Sequence, residues 1–133
     1  MNKSGWYGLP TAFVVGFFAV GLPYWAIPYN KVSLPNTLVR PELLSIVLGA
    51  LLLGLFRACR LRVAVLVVGA AVPTAVFARV MVECAKDPTS HNLWPFEIVF
   101  AAGVGLLASL AGAAMAALIN RFVPGSTVHK AAR

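Results

Sequence analysis

Four apolar runs, Leu9 to Pro28, Leu43 to Phe56, Val63 to Val82 and Ile98 to Ile119, occupy most of this chain, and Arg79 is the only charged residue inside any of them. That segregation decides the class of fold. Hydrophobic residues make up 60% of the chain and charged residues 11%, with a mean hydropathy of +0.86. A soluble domain carries about 25% charged residues. A soluble protein of 133 residues could not cover so much apolar surface, so the solvent is lipid. In a bilayer each run must satisfy its own backbone hydrogen bonds, which makes it a helix. The expected architecture is all-α: an integral membrane bundle of four transmembrane helices at about 9–28, 41–56, 63–82 and 95–120, within residues 1–122, with a basic tail over 123–133.

The ends of the runs carry helix and interface signals. Leu9 to Pro28 spans roughly 30 Å, one hydrocarbon core. Trp6 and Tyr7 flank one end and Tyr24, Trp25 and Tyr29 the other, as an aromatic belt would. A basic start before an apolar run also resembles a secretory signal, but no A-x-A-like site follows, so a retained helix is expected. Pro23 should kink that helix or end it early. Pro41-Glu42 opens the second run, where a proline loses no intrahelical bond and a glutamate suits the positive end of the helix dipole. That run is short for a span and should stand close to the membrane normal. Asp87-Pro88-Thr89-Ser90 reads as a turn, and Asn92 or a neighbour as the cap of the last helix.

Charge sets the orientation. Four crossings put the N-terminus, the Arg57–Arg62 turn and the C-terminus on one side, with Lys3, Arg57, Arg60, Arg62, Arg121, Lys130 and Arg133 and no acid. The other side holds Lys31, Arg40, Arg79 and Lys86 together with Glu42, Glu83, Asp87 and Glu97. The positive-inside rule then places both termini in the cytoplasm of a cell inner (plasma) membrane protein. Because the basic residues cluster at the ends of apolar runs, the net charge of +7 does not point to nucleic acid. Cys59 and Cys84 fall on opposite sides and cannot pair within one chain. The arginines around Cys59 would lower the pKa of its thiol, though a lone cysteine in such a turn receives no role.

Helices in lipid associate through small residues at a spacing of about four. The last run supplies Ala101, Gly105, Ala108, Ser109, Gly112 and Ala116 on one side, with Glu97 at the edge of the same sector. Packing within the chain is the economical use of this face, and its length also suits an external partner. The halves share a layout: Gly21-Leu22-Pro23 then Pro41-Glu42, against Ala71-Val72-Pro73 then Pro95-Phe96-Glu97. This suggests a 2+2 parallel pseudo-repeat about an axis along the membrane normal.

A polar site, if present, belongs to Arg79, Glu83, His91 and Glu97. Arg79 and Glu83 share a helix face and can pair. Arg79 lies within an apolar run, where a charge is a functional hypothesis, but snorkelling or a structural pair explains it as well. The acids and His91 do not match a metal motif, no catalytic signature is present, and no cofactor is expected. The function expected is non-enzymatic: a subunit or assembly partner of a membrane complex, acting through small-residue helix faces and extracytoplasmic loops. The expected partners are the lipid bilayer and either further copies of the chain or a larger membrane protein. The alternative is a small oligomeric transporter or channel with its polar site at the outer ends of the third and fourth helices.

Overall fold

The computed structural model describes residues 3–32, 37–89 and 93–122. Helix α1 covers Lys3–Trp25, α2 Leu44–Leu55, α3 Leu61–Gly69, α4 Ala71–Lys86 and α5 Trp94–Phe122, with 3-10 turns at Tyr29–Lys31 and Pro41–Leu43. Among the described residues there is no strand. Three stretches, Tyr7–Trp25, Leu61–Lys86 and Trp94–Phe122, are long and apolar enough to cross a membrane, and Pro41–Leu55 is a shorter apolar helix. Asn92, the expected cap of the last helix, and the tail 123–133 lie outside the described residues.

The boundaries follow the prolines. Pro23 sits inside α1 without ending it, because proline removes only its own bond to the carbonyl four residues back. The helix stops at Trp25, short of Pro28, whose ring disfavours helical backbone at Ile27. Pro41 starts a single 3-10 turn, and Arg40 before it is extended (φ −132°, ψ 164°). The third run is one rod in two pieces. Its backbone stays helical through Ala70 (φ −66°, ψ −15°), but Pro73 has no N–H to offer the Gly69 carbonyl. Asp87 ends α4 in an extended conformation, and its Oδ1 accepts from the Thr89 N–H (3.0 Å) and Oγ1 (2.7 Å), the expected turn. Those two bonds hold the exposed Asp87 carboxyl below its ordinary pKa.

Consecutive rods run antiparallel, which divides the molecule into two ends. At the basic end Asn120 Nδ2 donates to the Gly54 carbonyl (3.1 Å), Gly54 lies against Leu61 and Ala116, and Gly8 lies against Leu53. At the opposite, acidic end Trp25 Nε1 donates to the Ala75 carbonyl (2.9 Å), and the Phe77 ring lies 6.4 Å from that of Trp94.

The interior is small and the exterior is large. Ala50, Ala64, Ala71, Ala75, Ala101 and Ala116 are fully buried, and the largest fully buried side chains are Ile46, Val68, Val72, Val76 and Ser109. Phe18, Leu22, Leu44, Leu48, Leu52, Phe56, Leu107 and Leu118 point outward. In water such a fold would leave its largest apolar groups exposed. In lipid it is ordinary, since small interior residues bring backbones together.

The small face of α5 is covered by the chain itself. Ala101, Gly105, Ser109, Gly112 and Ala116 are buried and Ala108 is half-buried, against α2, α3 and α4. A Cβ built on Gly112 would collide with the Val47 carbonyl oxygen, and one on Gly105 with the Gly69 carbonyl oxygen. The second acceptor is the one that Pro73 leaves without its helical donor.

The α2–α3 turn is a Schellman cap with an unusual residue in it. The Arg57 N–H donates to the Gly54 carbonyl (3.2 Å) and the Ala58 N–H to that of Leu53 (3.1 Å). Arg57 takes φ 48°, the only positive value at a non-glycine position among the described residues. Glycine is the usual choice there, and a side chain costs about 1–2 kcal/mol. Next to it the structure corrects an expectation. Burial pushes the Cys59 thiol above its ordinary pKa, and a backbone hydrogen bond involving Ala64 offsets only part of that. The neighbouring arginines are exposed and screened by solvent, so desolvation wins. Cys59 should therefore alkylate more slowly at neutral pH than a free cysteine. Its rate should still be climbing with pH beyond the ordinary thiol value, which a pH series with a maleimide or iodoacetamide would read. A rate that plateaus below pH 8 would contradict the burial.

Candidate functional site

Arg79 gathers the acidic end. It sits on α4, 5% exposed, and reaches across to the end of α1. Nε donates to Glu83 Oε1 (2.7 Å), one turn on, Nη1 to the Tyr24 carbonyl (2.7 Å) and Nη2 to the Ile27 carbonyl (2.7 Å). The guanidinium carbon stands 4.8 Å from the centre of the Tyr24 ring, a cation–π contact. The carbonyls at a helix C-terminus have no intrahelical donors and carry the negative end of its dipole, so a buried cation is well placed there. A planar fork of donors suits this arrangement, and a lysine could not reproduce it.

Two neighbours complete the joint. Trp25 binds the Ala75 carbonyl on α4, and its ring lies back over Gly21, where a Cβ would meet it at 2.8 Å. Phe17 packs edge-on against Trp25 with centroids 5.4 Å apart. The expected aromatic belt does not extend to Tyr24, which is 2% exposed and lies under Arg79. Among the described residues, neither the buried Tyr24 hydroxyl nor the buried Glu42 Oε2 has a hydrogen-bond partner. Both residues line one small void of about 10 Å³ beside Leu38 and Leu43, room for about one water.

The four residues singled out from the sequence are only partly brought together. Arg79 and Glu83 pair directly. Glu97, half-buried at the start of α5, lies within electrostatic range of Tyr24, as Arg79 and Glu83 do. His91 lies outside the described residues. Beside the pair is an open crevice of about 330 Å³ lined by Trp25, Ala78, Arg79, Val82, Glu83 and Lys86.

Comparison with known protein families, curated proteins and solved structures finds no match. The chemistry is therefore read from the site alone. Arg79 cannot act as a general acid or base, because its guanidinium keeps its proton. Among the described residues no group of three or more His, Cys, Asp or Glu side chains could hold a metal ion. What the arrangement does well is hold α1 to α4. Sequence reasoning had no access to Tyr24, Trp25 and Ile27 as the other half of this joint. Two of the acceptors are backbone carbonyls, which every residue has, and Tyr24 carries the same composition signal in a belt as in a core.

Proposed function

We propose that this chain is a multi-pass protein of the cell inner (plasma) membrane that crosses it four times, with both termini and the Arg57–Arg62 turn in the cytoplasm. It performs no chemistry of its own and works as a subunit or assembly partner of a membrane complex. The observation that carries this reading is Arg79. The one charge buried in the apolar region has its Nε, Nη1 and Nη2 engaged by Glu83 and two carbonyls of α1, so it serves the fold and not a passing substrate. Proton-coupled transport calls for uncommitted buried carboxylates within the span. Among the described residues the buried polar side chains are Arg79 and Ser109, and Glu42, whose Oε2 is buried, stands half-buried in the 3-10 turn that opens the second rod.

The fourth crossing falls to Pro41–Leu55. At about 1.5 Å per residue it covers roughly 22 Å, and the membrane thins locally or the helix ends draw the interface inward to match. The small face of α5 is occupied within the chain, so a partner meets the outward face instead. Gly103 leaves open space there, with no atom within 4 Å of a built Cβ.

A small oligomeric transporter or channel is the second reading, favoured by the crevice beside Arg79, Glu83 and Lys86. Purification in mild detergent followed by mass analysis separates the two. The subunit reading expects a larger membrane protein, or further copies of this chain, to accompany it and to be lost on Gly103→Leu with helicity unchanged. A flux through proteoliposomes of the chain alone, lost on Glu83→Gln, would overturn it.

A further inference from the structure

A groove of about 570 Å³ runs along the outside of the α1–α2 hairpin. Its walls are Tyr7, Thr11 and Val15 from α1 and Leu48, Leu52 and Phe56 from α2, and it closes at Ala58 in the turn. From the level of Ser45 to that of Phe56 it is roughly 16 Å long. Leu48, Leu52 and Phe56 form one outward stripe at a spacing of four, and Phe56 and Tyr7 are 75% and 74% exposed at the basic end. The lining is almost wholly apolar, so the groove suits a hydrocarbon chain. What lies at its mouth identifies the rest of the occupant. Phe56 and Ala58 flank Arg57, and Arg60 and Arg62 follow at once, all three arginines exposed and with no acid between Leu43 and Ala78.

From this pairing we infer that the groove binds an anionic phospholipid, one acyl chain lying along α1 and α2 and the phosphate at Arg57, Arg60 and Arg62. Basic clusters beside grooves between membrane helices hold anionic headgroups in this way. The backbone of Arg57 adds an independent reason. Its position is one that glycine would occupy without strain, and an arginine there brings a charge to the groove mouth that a glycine could not.

The inference rests on the membrane reading above, and its test keeps the two apart. The full chain, purified in mild detergent, is mixed with phosphatidylglycerol or with phosphatidylcholine of the same acyl chains, and bound lipid is counted by native mass spectrometry. Phosphatidylglycerol should be retained preferentially, and the preference should shrink as salt is raised. Arg57→Gly should keep the helices and lower anionic retention by about fivefold. Thr11→Trp, which fills the groove, should remove bound lipid of both kinds from it. Equal retention of the two lipids overturns the proposal, as does retention unchanged by Arg57→Gly, or a cross-linked second copy of the chain in the groove. A chain that stays in solution without detergent would instead refute the membrane reading itself.

Discussion

Gly112→Ala should unfold the helical bundle or force α5 away from α2. The added Cβ would meet the Val47 carbonyl oxygen, with the Leu51 nitrogen also 3.1 Å away. No rotamer relieves a collision with backbone, so the two helices must separate along their length. Overpacked cores that can adjust lose about 1–3 kcal/mol, and this one cannot adjust by moving side chains, so the loss should lie at or above the top of that range. Gly105→Ala should behave alike, against the Gly69 carbonyl. Gly103→Ala is the internal control: its Cβ enters open space, and alanine is the better helix former by about 1 kcal/mol. Thermal unfolding in detergent, followed by circular dichroism and size exclusion, reads all three. Gly112→Ala melting like the parent would mean that α2 and α5 do not pack as described.

Arg79→Leu should be the most damaging change at the acidic end. It leaves Glu83 without this partner and removes a donor from each of the Tyr24 and Ile27 carbonyls. Breaking a fully buried charge pair by deleting one member costs about 3–5 kcal/mol, and because the Glu83 side chain is 25% exposed the loss should lie at or below the lower end of that range. Arg79→Lys should recover only part of this, since one ammonium cannot serve three acceptors held in a fork. Tyr24→Phe keeps both the ring under the guanidinium and the backbone carbonyl, and removes a hydroxyl that has no partner among the described residues, so it should shift stability by no more than about 1 kcal/mol. If Arg79→Leu leaves the melting temperature unchanged, Arg79 is not a latch between α1 and α4, and the crevice beside it becomes the better site hypothesis.

The legible parts of this molecule were those written in spacing. Runs of apolar residues marked the helices, and the alternation of small residues from Ala101 to Ala116 marked the face of α5 that the structure buries. Arg79 and Glu83, four apart on one helix, could be paired on paper. The other parts depend on how rods rotate about their axes. Arg79 reaches carbonyls 55 and 52 positions away, and backbone acceptors leave no trace in a residue pattern. The same holds for the groove between α1 and α2, for Tyr24 turning inward, and for the burial that raises the Cys59 thiol. Helix ends were displaced for a simpler reason. A proline costs a helix one bond, so Pro23 interrupts nothing, while Pro73 divides the third rod into α3 and α4 at Gly69.

The central claim is that a chain with three long rods and a short one crosses the membrane four times with its basic end inside. Paired topology reporters test it most directly, a fluorescent protein and a periplasm-dependent phosphatase fused in turn after Thr89 and after Arg133, with single cysteines introduced at the exposed Lys31 and in the Arg57–Arg62 turn for labelling. Four crossings predict a fluorescent fusion at Arg133, an active phosphatase at Thr89, a cysteine at Lys31 that reagents confined to the outside can label, and a turn shielded from them. Cysteines at Lys31 and in the turn that are both labelled from outside, or both shielded, would contradict the account, because Pro41–Leu55 would then not cross.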